Sequence, residues 1–338
     1  MRVKRAIFIL ALFASVFQMV ATAQTKILFD TDMGNDVDDV VALDMLYKYQ
    51  DEGTVDIVGI LSSKREIGSV KFIDVMNTIY GYPNIPIGIV KTYADESYKC
   101  ADKKLNYADY VVQLCDYPHT ITDYEALPDG YLLARKLLSE AEDKSITIVA
   151  VGFSTNMMRL LDSKGDKYSP LDGRELMRRK VARVVIMAGN FEQRRKEYNI
   201  YNDRVAATRF IMECPVEMLF TDFALGRTIY YPYTAVWEGF KYMEHHPLVE
   251  AFNYYFDMPY NRPLWDPTAV LFAAEPKGGY ASLSPRGYVT VDYSSITDFT
   301  EDKASNRRYY ILNDKQRMKI VRRVVELTMR EPKNKRSL

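Results

Sequence analysis

Residues 27–43 read Ile27-Leu-Phe-Asp-Thr-Asp-Met-Gly-Asn-Asp-Val-Asp-Asp-Val-Val-Ala-Leu43, an apolar run that leads into a loop rich in aspartate. Apolar runs of this kind form buried strands, and the apolar residues after the loop recur at helical spacing. The loop holds five aspartates: Asp30, Asp32, Asp36, Asp38 and Asp39. Asp38 or Asp39 is therefore expected at the N-cap or in the first turn of the helix.

Capping alone does not account for five aspartates, because a helix start needs only one or two, although any single one of them can be a cap. Carboxylates gathered around one point repel each other by kilocalories, and a hard divalent cation with oxygen ligands removes that repulsion. The spacing excludes an EF-hand. If Asp30 is the first position of such a loop, Gly34 comes one residue before the required glycine position, and Val41 stands where the closing Glu is required. The sequence thus predicts a metal site at a strand-to-helix turn.

Apolar runs alternate with helical patterns through the rest of the chain. Further strands are predicted at residues 55–61, 85–90, 146–152, 181–187 and 216–220, and a peripheral strand at 288–298. Helices are predicted at residues 69–80, 129–142 and 313–330, and the polar, Tyr-rich segment 91–127 is interpreted as a surface excursion. This alternation predicts an α/β fold, a mostly parallel central sheet with helices on both faces, in one domain over residues 24–338. Ligands bind such sheets outside the carboxyl ends of the strands.

The first 23 residues have the pattern of a secretory signal peptide. Arg2, Lys4 and Arg5 precede an apolar run over residues 6–16, and Ala21-Thr-Ala23 supplies a cleavage site. The apolar run is short for a membrane span of about twenty residues, so a retained anchor is the weaker interpretation. The mature protein is expected to be exported, either periplasmic or secreted, with no membrane attachment.

The charge balance argues against a nucleic-acid partner. The chain carries 45 basic and 45 acidic side chains, and loss of the signal peptide removes basic side chains only. A nucleic-acid-binding protein calls for a marked basic surplus, which this composition lacks. Cys100, Cys115 and Cys214 are too few for a disulfide framework and lack metal-ligand spacing, although Cys100 and Cys115 could pair across a loop.

Residues 30–43 resemble the N-terminal signature of the inosine-uridine-preferring nucleoside hydrolases, D-x-D-x-G-x-D-D-x-x-A-[LI], with two extra residues before the final acidic pair. Three later segments stand where that family has further motifs, in the same order. They are Val151-Gly-Phe-Ser-Thr-Asn156 for G-x-[LW]-[TS]-N and the residue before it, Glu197-Tyr-Asn199 for E-[FY]-N, and Asp266-Pro-Thr-Ala-Val270 for H-D-P-x-A-V. Each later motif alone is explained by an ordinary turn or cap, whereas the ordered set is specific.

The resemblance implies metal-dependent hydrolysis of the N-glycosidic bond of ribonucleosides, which releases free base and ribose. It implies Asp32 as the general base that takes a proton from the attacking water. The implied ligands of a Ca²⁺ ion are Asp32, Asp39, Asp266 and the Val151 carbonyl, with Asp36 as an alternative that the two-residue insertion leaves open. The implied contacts to the nucleoside substrate are Asp38, Asn190, Glu197 and Asn199, with Trp265 beside the base. Family members often form dimers or tetramers, but the sequence shows no interface, so the resemblance leaves a homo-oligomer open.

The chain departs from the family pattern at two places. Trp265 occupies the position of a His that is proposed, in several family members, to protonate the departing base. Stacking by Trp265 and a hydroxyl from the Tyr-rich loops are the candidate replacements. Ser62 and Ser63 stand where many members have a Gly-Asn that contacts substrate. His245 and His246 lie near a helix end and are expected at the surface, so they do not restore the missing role.

Two functions of other classes fit parts of the sequence. Phe29-Asp-Thr-Asp32 also matches the D-x-D of haloacid-dehalogenase-like phosphatases, whose first Asp is a phosphorylated nucleophile beside Mg²⁺. The aspartates after Gly34 and the motif at Asp266 have no place in that enzyme. The missing His also leaves room for a non-catalytic exported protein that binds calcium or a sugar on the same scaffold. Turnover of nucleosides, of phosphate esters or of neither distinguishes the three.

Overall fold

The computed structural model describes residues 24–93 and 106–335. Its first part contains β1 (Thr25–Thr31), α1 (Asp38–Glu52), β2 (Val55–Ser62), α2 (Ile67–Ile79), β3 (Ile87–Ile89), α3 (Tyr107–Val111) and α4 (Gly130–Glu140). Its middle part contains β4 (Ile146–Ala150), α5 (Thr155–Asp162), α6 (Gly173–Lys180), β5 (Val181–Ile186), α7 (Tyr198–Asn202), α8 (Arg204–Glu213) and β6 (Met218–Phe220). The predicted signal peptide and Cys100 lie outside the described residues, and Cys115 and Cys214 are free thiols.

The last part of the chain adds short helices and the far edge of the sheet. It contains α9 (Phe223–Gly226), β7 (Tyr230–Tyr231), α10 (Tyr233–Gly239), α11 (Pro247–Tyr255), β8 (Arg262–Pro263), α12 (Asp266–Ala274), β9 (Ser282–Leu283), β10 (Gly287–Val291), β11 (Thr297–Glu301), β12 (Arg307–Ile311) and α13 (Asp314–Thr328). Within the described ranges, none of the helices combines the length and the apolar character needed to cross a bilayer.

The central sheet of the described chain has the strand order β11-β10-β12-β6-β5-β4-β1-β2-β3, with β9 paired to β12. The strands from β3 to β12 in this order pair in parallel, and β9, β10 and β11 pair antiparallel. The mostly parallel sheet is therefore confirmed. The chain leaves β1 toward β2 and β3 on one side and returns to β4 on the other. Ligands of open α/β sheets bind at such a switch point, beyond the carboxyl ends of the strands.

β1 is buried on both faces, as its unbroken apolar run predicts. Ile27 and Phe29 join one hydrophobic cluster, and Leu28 between them joins the cluster on the opposite face. Helices α1, α2, α12 and α13 cover the first face, and α4, α5, α6 and α8 cover the second. Burying one side chain of this size contributes about 1.5–3 kcal/mol. The two clusters therefore hold the carboxyl end of β1 in a fixed place.

The prediction of a single peripheral strand at residues 288–298 is wrong, because the structure has the hairpin of β10 and β11 there. Asp292 accepts hydrogen bonds from the backbone N–H groups of Ser294 and Ile296, each at 2.8 Å, and so closes the turn. An aspartate that bonds its own backbone two residues on is a common turn device. The strand β12, which extends the parallel sheet beside β6, was not predicted.

Residues 91–93 and 106–127, the described parts of the expected surface excursion, are largely at the surface as predicted, but several of their side chains are anchored in the fold. Tyr107 is fully buried. Asp74 of α2 accepts hydrogen bonds from the backbone N–H of Ile121 at 2.8 Å and from the hydroxyl of Tyr124 at 2.9 Å. A Tyr-rich composition conceals such packing, because a tyrosine buries its ring while its hydroxyl keeps a polar partner.

The expectation that His246 lies at the surface is also wrong. Its side chain is buried and caps α11, since Nδ1 accepts the backbone N–H of Leu248 at 3.2 Å. Nε2 lies 3.1 Å from the hydroxyl of Tyr242 and 3.3 Å from that of Tyr80. The neighbouring His245 is exposed, as expected. His246 serves the packing of α11 and does not line the cavity described below.

Candidate active site

The carboxyl end of β1 begins the site, and its first aspartate is structural. Asp30 is fully buried, and its Oδ1 accepts the side-chain N–H of Asn156 at 3.0 Å. Its backbone carbonyl accepts the N–H of Val151 at 2.8 Å, which ties β1 to the end of β4. Because Asp30 is enclosed beneath the strand ends, the structure does not support the phosphatase alternative, which needs this residue as a nucleophile.

Gly152 allows this close approach between the ends of β4 and β1. A Cβ atom at this position would lie 2.4 Å from the backbone nitrogen of Asp32 and 2.4 Å from Oγ of Ser63. Ser63 is itself used structurally, since it donates to the carbonyl of Thr31 at 3.1 Å and accepts the N–H of Phe153 at 3.0 Å. The substrate contact considered for Ser62 and Ser63 stays a prediction.

The loop after β1 turns back at Gly34, whose φ of 109° favours glycine. Helix α1 then starts at Asp38, so both Asp38 and Asp39 lie in its first turn, which confirms that prediction. The N-cap residue is Val37, which provides no side-chain cap. The hydroxyl of Thr31 donates to Asp39 and fixes the orientation of its carboxylate. Neither carboxylate is spent on capping its own helix.

Asp38 instead caps a different helix. Its Oδ2 accepts the backbone N–H of Trp265 and that of Asp266, each at 2.9 Å, at the start of α12. The N-cap residue of α12 is Trp265, and the helix begins with Asp266 and Pro267. Asp38, near the start of the chain, thus positions Asp266, near its end.

Three carboxylates meet at this junction. Asp38, Asp39 and Asp266 each offer one oxygen, and these oxygens lie within 4.8 Å of one another. All three side chains are buried, and Oδ2 of Asp39 has no hydrogen-bond partner among the described residues. Burial raises the pKa of each carboxyl well above its usual range, and the neighbouring aspartates raise it further. Buried acids with an unpartnered oxygen and only oxygen donors fit a hard divalent cation.

Asp32 lies at the wall of the same cavity and has its own support. Its Oδ2 accepts the side-chain N–H of Asn35 at 2.6 Å, and Asn35 in turn accepts from Nζ of the buried Lys64 at 2.8 Å. Burial raises the pKa of Asp32 to about 6, against the lowering effect of the Asn35 hydrogen bond and the Lys64 charge. Sequence reasoning missed Asn35 and Lys64, although both stand inside or beside the motifs quoted above.

Glu197 and Asn199 line the same cavity together with Val151. Both carboxylate oxygens of Glu197 accept backbone N–H groups at the start of α7, from Asn199 at 2.8 Å and from Ile200 at 3.1 Å. Burial raises the pKa of Glu197 to about 7. The side chain of Asn199 donates to the Val151 carbonyl at 2.7 Å. A carbonyl oxygen has two lone pairs, so Val151 keeps one for a further contact.

Two candidate residues are engaged elsewhere. Asp36, the alternative metal ligand, accepts from Nε of Arg262 at 2.8 Å and from its Nη2, and so forms a two-pronged ion pair. Asn190, the candidate substrate contact, donates its backbone N–H to Oγ1 of Thr297 at 2.9 Å, and its side-chain oxygen accepts the N–H of Gln193 at 3.3 Å. Asn190 is not among the residues that line the cavity, whereas Asp36 is.

These walls enclose a cavity of about 730 Å³ at the switch point of the sheet. Its lining includes the predicted residues Asp32, Asp36, Asp38, Asp39, Val151, Glu197, Asn199, Trp265 and Asp266. Lining residues that sequence reasoning missed are Asn35, Met187, Tyr198, Tyr201, Asn202, Phe223, Tyr255 and Arg262. A volume in this range suits a small organic ligand. Carboxylates and amides form one part of the lining, and aromatic rings with one arginine form the other.

Comparison with known proteins agrees with this arrangement. The sequence pattern of one family, described as inosine-uridine preferring nucleoside hydrolase, matches residues 27–326. No curated protein sequence matches the chain. Among solved structures, the plant nucleoside hydrolase PpNRh1 is similar with a TM-score of 0.69 and 18% identity, over 90% of this chain and 98% of the other.

Two bacterial structures show the same fold. The purine-preferring ribonucleoside hydrolase from Gardnerella vaginalis has a TM-score of 0.70 and 15% identity, over 90% of this chain and 99% of that protein. The inosine-uridine preferring nucleoside hydrolase from Bacillus anthracis has a TM-score of 0.64 and 17% identity, over 90% and 100%. At such low identity these likenesses establish the fold alone.

Proposed function

The chain belongs to the inosine-uridine preferring nucleoside hydrolase family and is a hydrolase of N-glycosyl bonds, and on this basis we propose that it cleaves ribonucleosides to free base and ribose with a bound Ca²⁺ ion. The observation that carries the proposal is the meeting of Asp38, Asp39 and Asp266 within 4.8 Å inside a cavity at the sheet's switch point. Such a cluster is electrostatically unfavourable unless a cation neutralises it.

Asp39 and Asp266 are the core of the proposed cation site. The unpartnered oxygen of Asp39 and the buried carboxylate of Asp266 supply two ligands, and Asp38 offers one oxygen within 4.8 Å of theirs. Asp32 and the carbonyl of Val151 complete the proposed set from the same cavity. The proposed ligands are all oxygen atoms, which favours Ca²⁺ or a similar hard ion. When bound, such an ion acidifies a water molecule and orients the vicinal hydroxyls of a sugar.

Asp32 acts as the general base in the proposed reaction. It takes a proton from the water whose oxygen forms the new bond to the anomeric carbon, while the base departs with the electron pair of the broken C–N bond. The Asn35 amide holds the accepting carboxylate in one orientation at 2.6 Å. Because the pKa of Asp32 is raised only to about 6, the group is ionised at neutral pH and ready to accept that proton.

Glu197 and Asn199 are proposed to bind the ribose. The backbone N–H groups of α7 fix the Glu197 carboxylate, which keeps lone pairs free for sugar hydroxyls. Asn199 is fixed by the Val151 carbonyl. Asp38 lines the same cavity and is a third candidate for a ribose hydroxyl. Positioning of the sugar in this way contributes to the rate by holding reacting atoms in line.

Export is proposed from the sequence pattern of the first 23 residues. Fractionation of cells that produce the full chain should then recover it outside the cytoplasm, with Gln24 as its first residue. A full-length protein that stays in the cytoplasm would contradict export and would leave the enzymatic proposal unaffected.

The enzymatic proposal is tested with the chain that begins at Gln24. Purine and pyrimidine ribonucleosides are assayed for free ribose, with chelator and after Ca²⁺ is restored, for the wild type and for Asp32→Asn. We expect ribose release that chelation abolishes and Ca²⁺ restores, and a loss on the order of 10²–10⁴-fold in kcat for the variant, since a general base contributes that much. Release of phosphate from phosphate esters, or tight ribose binding without any base release, would favour the two alternative functions.

A further inference from the structure

Trp265 stands where a proton donor for the departing base is expected, but its side chain is already committed. The indole N–H donates to the carbonyl of Phe223 at 3.0 Å, and the two rings stack with centroids 5.5 Å apart. Gly226 lies so close that a Cβ atom there would be 2.2 Å from Cδ1 of Trp265. The indole is therefore fixed in the cavity wall and has no N–H left to offer a substrate.

Arg262 is the only cationic side chain among the described residues that line the cavity. Its guanidinium lies over the ring of Tyr255 at 4.8 Å and over that of Trp265 at 5.3 Å. Nε and Nη2 bond Asp36, and Nη2 also donates to the hydroxyl of Tyr255 at 3.2 Å. Nη1 has no hydrogen-bond partner among the described residues, although the side chain is only 15% exposed. The guanidinium of Arg262 is therefore held in place beside Tyr255 and Trp265, and its Nη1 keeps N–H groups free to donate.

Asp36 explains why the guanidinium is held there. The acidic loop is two residues longer than the family signature that it resembles, and Asp36 lies just before its final acidic pair. The carboxylate of Asp36 matches the planar fork of Arg262 and anchors it, across 226 residues of sequence. An arginine gripped in this way loses little further freedom when it donates a hydrogen bond to a ligand.

We propose that Arg262 is the leaving-group residue of this enzyme, with Nη1 donating to a carbonyl oxygen or ring nitrogen of the departing base. The inference rests on the proposed function and assigns the part of that reaction for which the motif residues supply no donor. As the C–N bond breaks, its electron pair moves onto the base, and the guanidinium stabilises the developing negative charge. The base then takes its proton from solvent, while the proton of the attacking water goes to Asp32.

A guanidinium does not give up its proton at any pH at which the protein is folded. Arg262 therefore acts by charge and hydrogen bonding, in the manner of an oxyanion hole, and not as a general acid. The contribution of Arg262 to the rate should be largest when the leaving group develops negative charge that it cannot stabilise by itself. Nucleosides, whose bases are poor leaving groups, should need Arg262, whereas a riboside with a good leaving group should not.

The test compares two substrates in Arg262→Met and in the wild type, both loaded with Ca²⁺. One substrate is the nucleoside that the wild type cleaves best, and the other is p-nitrophenyl β-D-ribofuranoside, whose leaving group departs as a stable anion. We expect kcat on the nucleoside to fall on the order of 10²–10³-fold, with little change on the nitrophenyl riboside. Arg178→Met, which removes an exposed arginine paired with Glu175 on α6, is the control and should change neither rate.

Asp36→Asn provides a second variant in case Arg262→Met does not fold. It keeps Arg262 but removes the charge that anchors it, so we expect a smaller loss that again affects the nucleoside more than the nitrophenyl riboside. An equal loss on both substrates, or no loss on either, would overturn the role of Arg262 while the proposed function stands. A wild type that cleaves neither compound would refute the proposed function, and this inference with it.

Discussion

The carboxylate of Asp38 accepts the backbone N–H of Asp266 at 2.9 Å, although 228 residues separate them in the sequence. This hydrogen bond joins the first turn of α1 to the first turn of α12, the two places from which Asp38, Asp39 and Asp266 come. The fold thus sets the spacing of the acidic cluster through the backbone, and the cluster does not depend on side chains alone.

Loss of the Asp38 acceptor should destabilise the protein more than loss of the Asp38 charge alone. Asp38→Ala leaves two N–H groups at the start of α12 without their acceptor, and such losses cost about 0.5–2 kcal/mol. Asp38→Asn keeps an acceptor oxygen, so it should cost less. Urea unfolding in the presence of chelator measures the difference, and equal stability of the two variants would show that the cap contributes nothing.

Gly152 should tolerate no side chain. Gly152→Ala places a Cβ 2.4 Å from the backbone nitrogen of Asp32, so β1 or the loop after β4 must shift. We expect a loss of about 2 kcal/mol or more in the free energy of unfolding, together with a loss of activity. Gly239→Ala is the matched control, because its Cβ would meet its nearest neighbour at an ordinary 3.4 Å. Similar behaviour of the two variants in thermal melts would contradict the close approach.

His246 should make the protein sensitive to acid. Burial lowers the pKa of His246 to about 3 from 6.5, so the folded protein keeps it neutral while the unfolded chain protonates it. Unfolding is therefore favoured as the pH falls from 6.5 toward 3, by about 1.4 kcal/mol per pH unit for this one group. His246→Asn, which can still cap α11, should lose less stability on acidification than the wild type does.

The neighbouring His245 supplies the control for this prediction. His245→Asn removes an exposed imidazole at a position whose positive φ asparagine accepts, so it separates the effect of burial at His246 from that of removing any histidine. Urea titrations at several pH values between 7 and 4 measure the slopes. Identical slopes for His246→Asn and the wild type would contradict the buried, neutral His246.

Substitutions of Trp265 test whether the residue at this position serves by packing or by donating a proton. The sequence alone suggests that Trp265→His should raise turnover if protonation of the departing base limits the rate. The structure predicts the opposite, because the smaller ring abandons the contact with Phe223 and the support of Arg262. Trp265→Phe keeps an aromatic ring in place and should retain more of the nucleosidase rate. A Trp265→His variant that is faster than the wild type would contradict this account of the cavity wall.

The sequence predicts the elements of this fold whose signal is local. The buried run of β1 and the aspartates of the first turn of α1 are readable because strand burial and helix starts leave short patterns. The order of the motifs also placed Asp266 and Val151 in the cavity. The hairpin of β10 and β11 was misread because residues 288–298 keep a period of two through a tight turn.

Contacts between distant residues are what the sequence does not disclose. The ion pair of Asp36 with Arg262 has no local signature, since either residue alone is an ordinary charged side chain. Lys64 likewise looks like an ordinary exposed lysine in the sequence. Only the structure shows that the loop after β1 buries it. The only sequence signals were an acidic residue in excess of the signature and an arginine four residues before Asp266.

Calorimetric titration with Ca²⁺ tests whether distant aspartates converge on a single cation. We expect one ion per wild-type chain, and an affinity on the order of 10²–10³-fold weaker in Asp266→Asn, because one of a few buried charges is removed. Asp44→Asn, which neutralises a buried carboxylate of α1 outside the cavity, should bind as the wild type does. A wild type that binds no ion, or an Asp266→Asn variant with undiminished affinity, would contradict the account.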